Sequence, residues 1–332
     1  MPTDPAVAAL VLLTLLFTFL NGYNDSAAIV ATMVASGALT PRKALTLAAV
    51  AELAGPLVLG VAVASTIGRG VVDPRAATPG VLIAALVGAT AWGLLAGRLG
   101  VPTSATHALV GGLVGAALAA AGLGAIDWRG LALVVGTLAL APTLGIVGGY
   151  AFMALVLALG RYLTPAVNVH LRRLQVVTSA LVALSHGAND AQKGMGLITA
   201  GLVAAGALPA FAVPPWVVGA CAVAIALGVA LGGETTLRTL SMRIYTIRPV
   251  HGFAAQTTTA AVVLAASLLG GPASTTQVAT SAIFGVGAAE RMSKVRWNVG
   301  ETIVLAWFVT LPVAALVAAA VYLLTHTAGA AR

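Results

Sequence analysis

Charge is scarce in this chain. Of its 332 residues only 8% are Asp, Glu, Lys or Arg, aromatic residues make up 5%, and there is a single cysteine, Cys221. An ordinary soluble domain carries about 25% charged residues, so this composition cannot build a water-exposed globular surface. One cysteine excludes an intrachain disulfide and a thiolate metal cluster, and Cys221 reads as a small buried hydrophobe. Acids are the rarest charged groups, 9 against 17 basic residues, for a formal net charge of +8. That imbalance does not point to nucleic acid, because the cations are scattered through short connections without interleaved aromatics.

What the chain has in quantity is apolar sequence, 60% hydrophobic residues with a mean hydropathy of +1.03. Apolar runs fall at about 5–40, 44–67, 79–99, 102–122 and 129–160, then at 171–206, 216–233, 250–270, 272–290 and 300–325. Most reach the roughly 20 residues that a helix needs to cross a bilayer core. The expected fold is therefore an all-α polytopic membrane protein with no soluble domain. The first run follows Asp4 without a basic leader and ends in Asn-Gly instead of a small-residue cleavage site, so it reads as mature sequence.

The runs divide five and five about a polar connection with Arg161, His170, Arg172 and Arg173. The halves also repeat each other. Asn24-Asp25 recurs as Asn189-Asp190, 165 residues on, and "PTSATH" at Pro102–His107 recurs as "PASTTQ" at Pro272–Gln277, 170 residues on. Two motifs in one order at nearly one offset indicate duplication. An odd number of crossings per half would turn the second copy upside down, giving inverted repeats over 1–160 and 174–332 joined by a basic cytoplasmic connection at 161–173. Loop charges agree with this. Arg42 and Lys43 follow the first motif, whereas Ala207–Pro215 is uncharged; Arg69, Asp73 and Arg75 face a richer set of Glu234, Arg238, Arg243 and Arg248. Likewise Arg291, Lys294 and Arg296 outweigh Asp127 and Arg129. Basic loops then share the cytoplasmic side of the cell membrane, with both termini outside.

The run 5–40 is too long for one straight crossing and is interrupted by Asn-Gly-Tyr-Asn-Asp, so a broken helix or hairpin is expected with the motif at its break. Runs 102–122 and 272–290 can either span or re-enter. Their Pro-x-Ser-x-Thr starts place hydroxyls at helix N-termini, where backbone N–H groups favour an anion. Four half-helix N-termini meeting at mid-membrane would make an anion site from Asn24, Asp25, Ser104, Thr106, Asn189, Asp190, Ser274, Thr275 and Thr276. Each half also brings an acid. A carboxylate suits an anion that still carries a proton: a hydrogen phosphate O–H can donate to it, whereas sulfate has none to offer. The same acids can hold a coupling cation.

Single Asn-Asp pairs are usually helix caps, but repetition at matched positions inside the membrane argues for function. Glu52, deep in its run, reads as a ligand for a coupling ion or proton, with a structural hydrogen bond as the alternative; half two has no matching acid. Lys193 can pair with Asp190 on the same helical face, touch substrate or snorkel to the interface. His107 matches Gln277 across the repeat, which favours a hydrogen-bonding role over a requirement for imidazole. Glu301 reads as an acid of a first helical turn, and Gly111, Gly112 and Gly115 as close-packing positions.

The segments Gly22–Asp25, "SHGANDAQKGMG" at Ser185–Gly196, "PTSATHALVGG" at Pro102–Gly112 and "PASTTQV" at Pro272–Val278 resemble the paired signatures of the inorganic phosphate transporter (PiT) family, in its bacterial permease type. The resemblance extends to "GALTPRKAL" at Gly37–Leu45 and "VRWNVGETIVLAW" at Val295–Trp307. It implies inverted repeats enclosing one phosphate site, secondary transport driven by Na⁺ or H⁺, no cofactor, and a homodimer. It also implies that the cargo can be a neutral metal–phosphate complex or, as in some bacterial members, sulfate. Two positions depart from the family pattern: Ala28 stands where an Asn is common, and Gln256 where Na⁺-coupled relatives often look acidic. Asp25, Asp190, Glu52 and Gln256 are the coupling-ion candidates, the three acids being the candidate Na⁺ ligands. Fewer hard-oxygen ligands favour H⁺ over Na⁺. The competing readings are a carrier of another oxyanion such as sulfate, and a passive anion channel, which would want a continuous polar or basic pore. A membrane enzyme would need a nucleophile–base pair or metal-ligand cluster that the spacing does not offer.

Overall fold

The computed structural model describes residues 4–99, 103–160, 166–232 and 247–330. Among these lie eleven α-helices and two short 3₁₀ turns. The helices are α1 (Pro5–Ala35), α2 (Pro41–Val58), α3 (Ala62–Arg69), α4 (Pro79–Arg98), α5 (Ala105–Ala121) and α6 (Trp128–Gly160). The second half holds α7 (Val167–Ala204), α8 (Pro215–Ala230), α9 (Pro249–Leu268), α10 (Thr275–Arg291) and α11 (Trp297–Ala330). Proline stands in the first turn of α1, α2, α4, α8 and α9, where its missing N–H costs no helical bond. The expected connection at 161–173 is partly helix, since α7 begins at Val167. Arg161, Pro102, Glu234, Arg238 and Arg243 lie outside the described residues.

Five helices, α1, α4, α5 (with the 3₁₀ turn after it), α6 and α11, are long and apolar enough to cross a membrane, and α2 with α3 makes a sixth if counted as one broken span. Among the described residues this is fewer than the ten runs expected, because α8 is apolar but only 16 residues long and α7, α9 and α10 carry more polar residues. The long helix α7 is covered by its neighbours along most of its C-terminal two thirds, so its polar residues meet protein instead of lipid. The outer helices α6 and α11 carry Leu133, Leu140, Leu144, Leu305, Phe308 and Leu316 exposed on their surfaces, as a lipid-facing helix must.

The expected break at the first motif is not there. Both α1 and α7 run unbroken through Asn24-Asp25 and Asn189-Asp190, because side chains of other elements, described below, satisfy the polar groups without unwinding the backbone. The half-helix N-termini expected at those two positions are therefore absent. The break falls instead between α2 and α3, which are bent by 77°. Pro56 lacks an N–H inside α2, Gly60 takes a φ of 80°, and the side chain of Gln192 caps the new helix, its Oε1 accepting from Val63 N at 2.7 Å and Ala64 N at 3.2 Å.

Packing repeats from one half to the other. α1 lies against α8 as α2 lies against α7; α5 packs on α11 as α10 packs on α6; α4 pairs with α5 as α9 pairs with α10. Gly22 of α1 meets the backbone of Ile225, and Gly187 of α7 meets the backbone of Glu52, at contacts that leave no room for a Cβ. Gly111 and Gly115 lie against the α11 backbone at Leu311 and Ala315, and Gly112 against Ala85 of α4, the close packing expected of them. The α4–α5 hairpin is tied at its base by a Val72–Ile126 bridge and the Asp73 N–H bonded to Ala125 O at 2.9 Å. Its tip ends inside the protein: Ser104, Thr106 and, on the opposing α9–α10 hairpin, Ser274 and Thr275 are all buried. The two tips touch where Thr106 Oγ1 donates to Ala273 O at 3.1 Å.

Candidate functional site

Helical spacing puts Asn21 and Asp25 on one face of α1, and His186, Asp190 and Lys193 on one face of α7. These faces meet each other, α2 and the hairpin tips. His186 is the hub: its Nδ1 lies 2.5 Å from Glu52 Oε1, and its Nε2 lies 3.4 Å from Asp25 Oδ2 and 3.5 Å from Asp190 Oδ2. Glu52, His186 and Lys193 are fully buried, and Asp25 and Asp190 nearly so. Asn21 Nδ2 donates to Asp190 Oδ2 at 2.8 Å, and Thr276 Oγ1 donates to Asp25 Oδ1 at 2.6 Å. Lys193 Nζ pairs with Asp190 Oδ1 at 2.8 Å and donates to Thr106 Oγ1 at 2.5 Å and Ala273 O at 3.2 Å. One oxygen or nitrogen each from Asp25, His186 and Asp190 can converge within 4.8 Å, a spacing suited to a shared cation. Asn21 Oδ1, Glu52 Oε2 and Thr275 Oγ1 are buried here without a protein hydrogen-bond partner.

A cleft of about 50 Å³ reaches this cluster between α1, α4 and the α5 tip, lined by Asn21, Asn24, Asp25, Thr90, Thr103, Ser104 and Thr276 among others. By that measure it exceeds severalfold what one water needs.

Of the nine residues expected around the substrate, Asp25, Asp190, Thr106 and Thr276 bond into the cluster, and Asn24 and Ser104 line the cleft. Ser104 also caps α5 through His107 N at 3.2 Å and touches His107 Nδ1 at 2.9 Å, while Gln277, the repeat counterpart, lies 3.4 Å from the same nitrogen. Ser274 occupies the cap position of α10. Asn189 is turned elsewhere: its Nδ2 donates to Ser267 Oγ at 3.0 Å and Gly271 O at 3.2 Å, and its Oδ1 accepts from Ala273 N at 3.1 Å. Gln256 bonds Thr178 at 2.7 Å and Thr32 at 2.8 Å, two helical turns along α1 from Asp25. His186 and Asn21 were not expected. Each stands four residues before its aspartate on the same helical face, so the i, i+4 spacing in both motifs was a usable signal, although Asn21 bonds Asp190 across the helices instead of Asp25. Gln192 was missed for want of any local signal, since its role is to cap a distant helix.

Unbroken helices carrying buried charge, two opposed hairpins meeting tip to tip, and a cleft leading to them define a polytopic membrane transport protein. Residues 21–318 match the model of the "Phosphate transporter family". The chain belongs to that family. It is 43% identical to a probable low-affinity inorganic phosphate transporter of Rhizobium meliloti, over 96% of both chains. The corresponding protein of Bacillus subtilis is 39% identical, again over 96% of both. Among solved structures, one described as "The sodium-dependent phosphate transporter" superposes with a TM-score of 0.88 at 26% identity, covering 98% of this chain and 100% of that one.

Proposed function

We propose that this chain is a secondary active symporter importing inorganic phosphate across the cell membrane, coupled to H⁺, with Na⁺ as the rival coupling ion. The observation that carries the reading is the charge of the buried cluster. Three carboxylates, Asp25, Asp190 and Glu52, surround His186 with Lys193 as the fixed cation. An anion cannot enter such a group alone, because unpaired buried charge costs several kcal/mol per ion. A cation or proton entering with it removes that penalty, which is the physical content of symport. Hydrogen phosphate brings an O–H for a carboxylate oxygen, and sulfate does not. Asn24, Asp25, Ser104, Thr106, Asp190, Ser274, Thr275 and Thr276 form the substrate site in this reading, and a metal–phosphate complex fits the same charge argument.

Proton coupling is favoured by Ala28, which offers no side-chain oxygen beside Asp25, and by Gln256, whose amide is committed to Thr178 and Thr32. The name of the solved relative speaks for Na⁺. The halves 1–160 and 174–332 are read as inverted repeats, supported by paired packing and opposed hairpins. Their asymmetry supports alternating access: Asn189 is fastened to Ser267, Gly271 and Ala273, whereas its counterpart Asn24 faces the cleft beside Gly97. Asn189 would reach substrate only when those bonds release. Both termini outside and a homodimer complete the proposal.

Purified protein in proteoliposomes tests it. Labelled phosphate should accumulate under an imposed pH gradient, stop accumulating with an uncoupler, and be indifferent to excess sulfate. Accumulation driven only by a Na⁺ gradient would reassign the coupling ion, and purely downhill flux would reject symport.

A further inference from the structure

Lys193 has an unusual set of neighbours for a lysine in a membrane protein. Snorkelling would carry its ammonium to an interface; here it points inward and is fully buried. Its Nζ meets three oxygens from three elements: a carboxylate of α7 (Asp190 Oδ1, 2.8 Å), a hydroxyl at the start of α5 (Thr106 Oγ1, 2.5 Å) and a backbone carbonyl of the opposed hairpin tip (Ala273 O, 3.2 Å). Carboxylate, hydroxyl and carbonyl oxygens are the donor set that a hard cation takes, and an ammonium is a compact point charge able to stand in for one.

The other half holds the equivalent place without the lysine. At the repeat offsets, Asp190, Thr106 and Ala273 correspond to Asp25, Thr276 and Thr103, and Lys193 corresponds to Ala28. Thr276 bonds Asp25 directly at 2.6 Å. Asp25, Thr276 and Thr103 all line the cleft. The two places thus share an acid and a threonine, but one is sealed around a tethered cation and the other is open to solutes.

We infer that Lys193 is a built-in coupling cation: its ammonium permanently fills one of two equivalent cation places, so that only the Asp25–Thr276–Thr103 place takes a cation from solution in each cycle. This rests on the symport reading above and deepens it. The tethered charge offsets part of the acid cluster in every state, and the chain needs one cation fewer per phosphate than two open places would demand. A carrier whose second place was also open would show cooperative dependence on the cation; this one should show first-order dependence.

The test replaces the tethered charge. Lys193→Asn and Lys193→Gln remove it while supplying an oxygen, and Lys193→Arg keeps a charge. Phosphate uptake into proteoliposomes is measured at fixed pH in Na⁺ and in choline salts, and monodispersity in detergent in the same two salts. The neutral variants should lose about tenfold or more of their uptake in choline, as expected for a buried carboxylate left unpaired, and regain it in Na⁺ with a Na⁺ order one higher than wild type. They should also be monodisperse in Na⁺ and aggregate in choline. Lys193→Arg should keep the wild-type cation order. Neutral variants that are indifferent to Na⁺, or that fail equally in both salts while Lys193→Arg behaves as wild type, overturn the inference and leave phosphate symport standing. Wild-type protein that moves no phosphate overturns the parent reading instead.

Discussion

At Nε2 of His186 two carboxylates arrive from different helices, and Nδ1 is committed to a third. A neutral imidazole has one N–H to give, so the ring cannot donate to every facing oxygen without a second proton. Remove it and three buried acids face each other across a hole. His186→Ala should therefore destabilise the fold by about 3–5 kcal/mol, measurable as a lower thermal midpoint in detergent. Asp25→Asn should keep the fold, because Thr276 can still donate to the amide oxygen, yet lower uptake by about tenfold or more through the changed charge; unchanged uptake kinetics would take Asp25 out of the site. At this scale duplication was the readable signal. It singled out Asp25, Asp190, Thr106 and Thr276, each matched across the repeat. It passed over His186 because the matched residue is Asn21, and Glu52 lacked a matched acid because Gly22 meets Ile225 where Gly187 meets Glu52. Asn189 shows the converse: the same residue type in both copies is held differently, Asn189 bonded to Ser267, Gly271 and Ala273 while Asn24 lines the cleft.

Among the elements, the membrane-helix character of the chain was legible from hydropathy, and the helix starts from their prolines. The break was not, although its signals stood in plain sequence at Pro56 and Gly60. A polar motif in a long apolar run suggests a break only when its groups lack side-chain partners, and those partners come from α7 and the α10 tip, 161 to 251 residues away. Close approach of helices is the other feature that local sequence hides. Gly187→Val would drive a side chain into the α2 backbone at Glu52, which cannot yield in a close-packed interior. It should cost about 1–3 kcal/mol and disturb the Glu52–His186 contact, lowering both thermal midpoint and uptake. Gly136→Ala on α6, where nothing lies within reach of a new Cβ, should stay within about 1 kcal/mol of the parent. Equal losses from the two would mean that the α2–α7 approach is not tight.

For the molecule as a whole, the proposed repeats differ in how their hairpin tips are held. α4 and α9 have the same length and start at prolines 170 residues apart, so Gly97 corresponds to Ser267. Ser267 Oγ accepts from Asn189 and, with Gly271 and Ala273, fastens the α9–α10 tip onto α7. On the α4–α5 side, a Cβ on Gly97 would find only Asn24 Oδ1, at 3.6 Å, and the cleft lies open. If that missing hydroxyl is what keeps the first hairpin unfastened, Gly97→Ser should supply it, drawing the tip onto α1 and narrowing the cleft. A cysteine placed at Thr90, in the cleft wall, reports the change through its rate of labelling by a small hydrophilic thiol reagent, with the buried Cys221 contributing little. One hydrogen bond of about 1 kcal/mol shifts such an equilibrium roughly fivefold, so labelling should slow by about that factor in Gly97→Ser. Asn189→Ala, which unfastens the opposite tip, should not slow it. Equal labelling rates in wild type and Gly97→Ser would mean that the two asparagines are not equivalent latches, and that the asymmetry between the halves is built into their sequences instead of marking a state in a cycle.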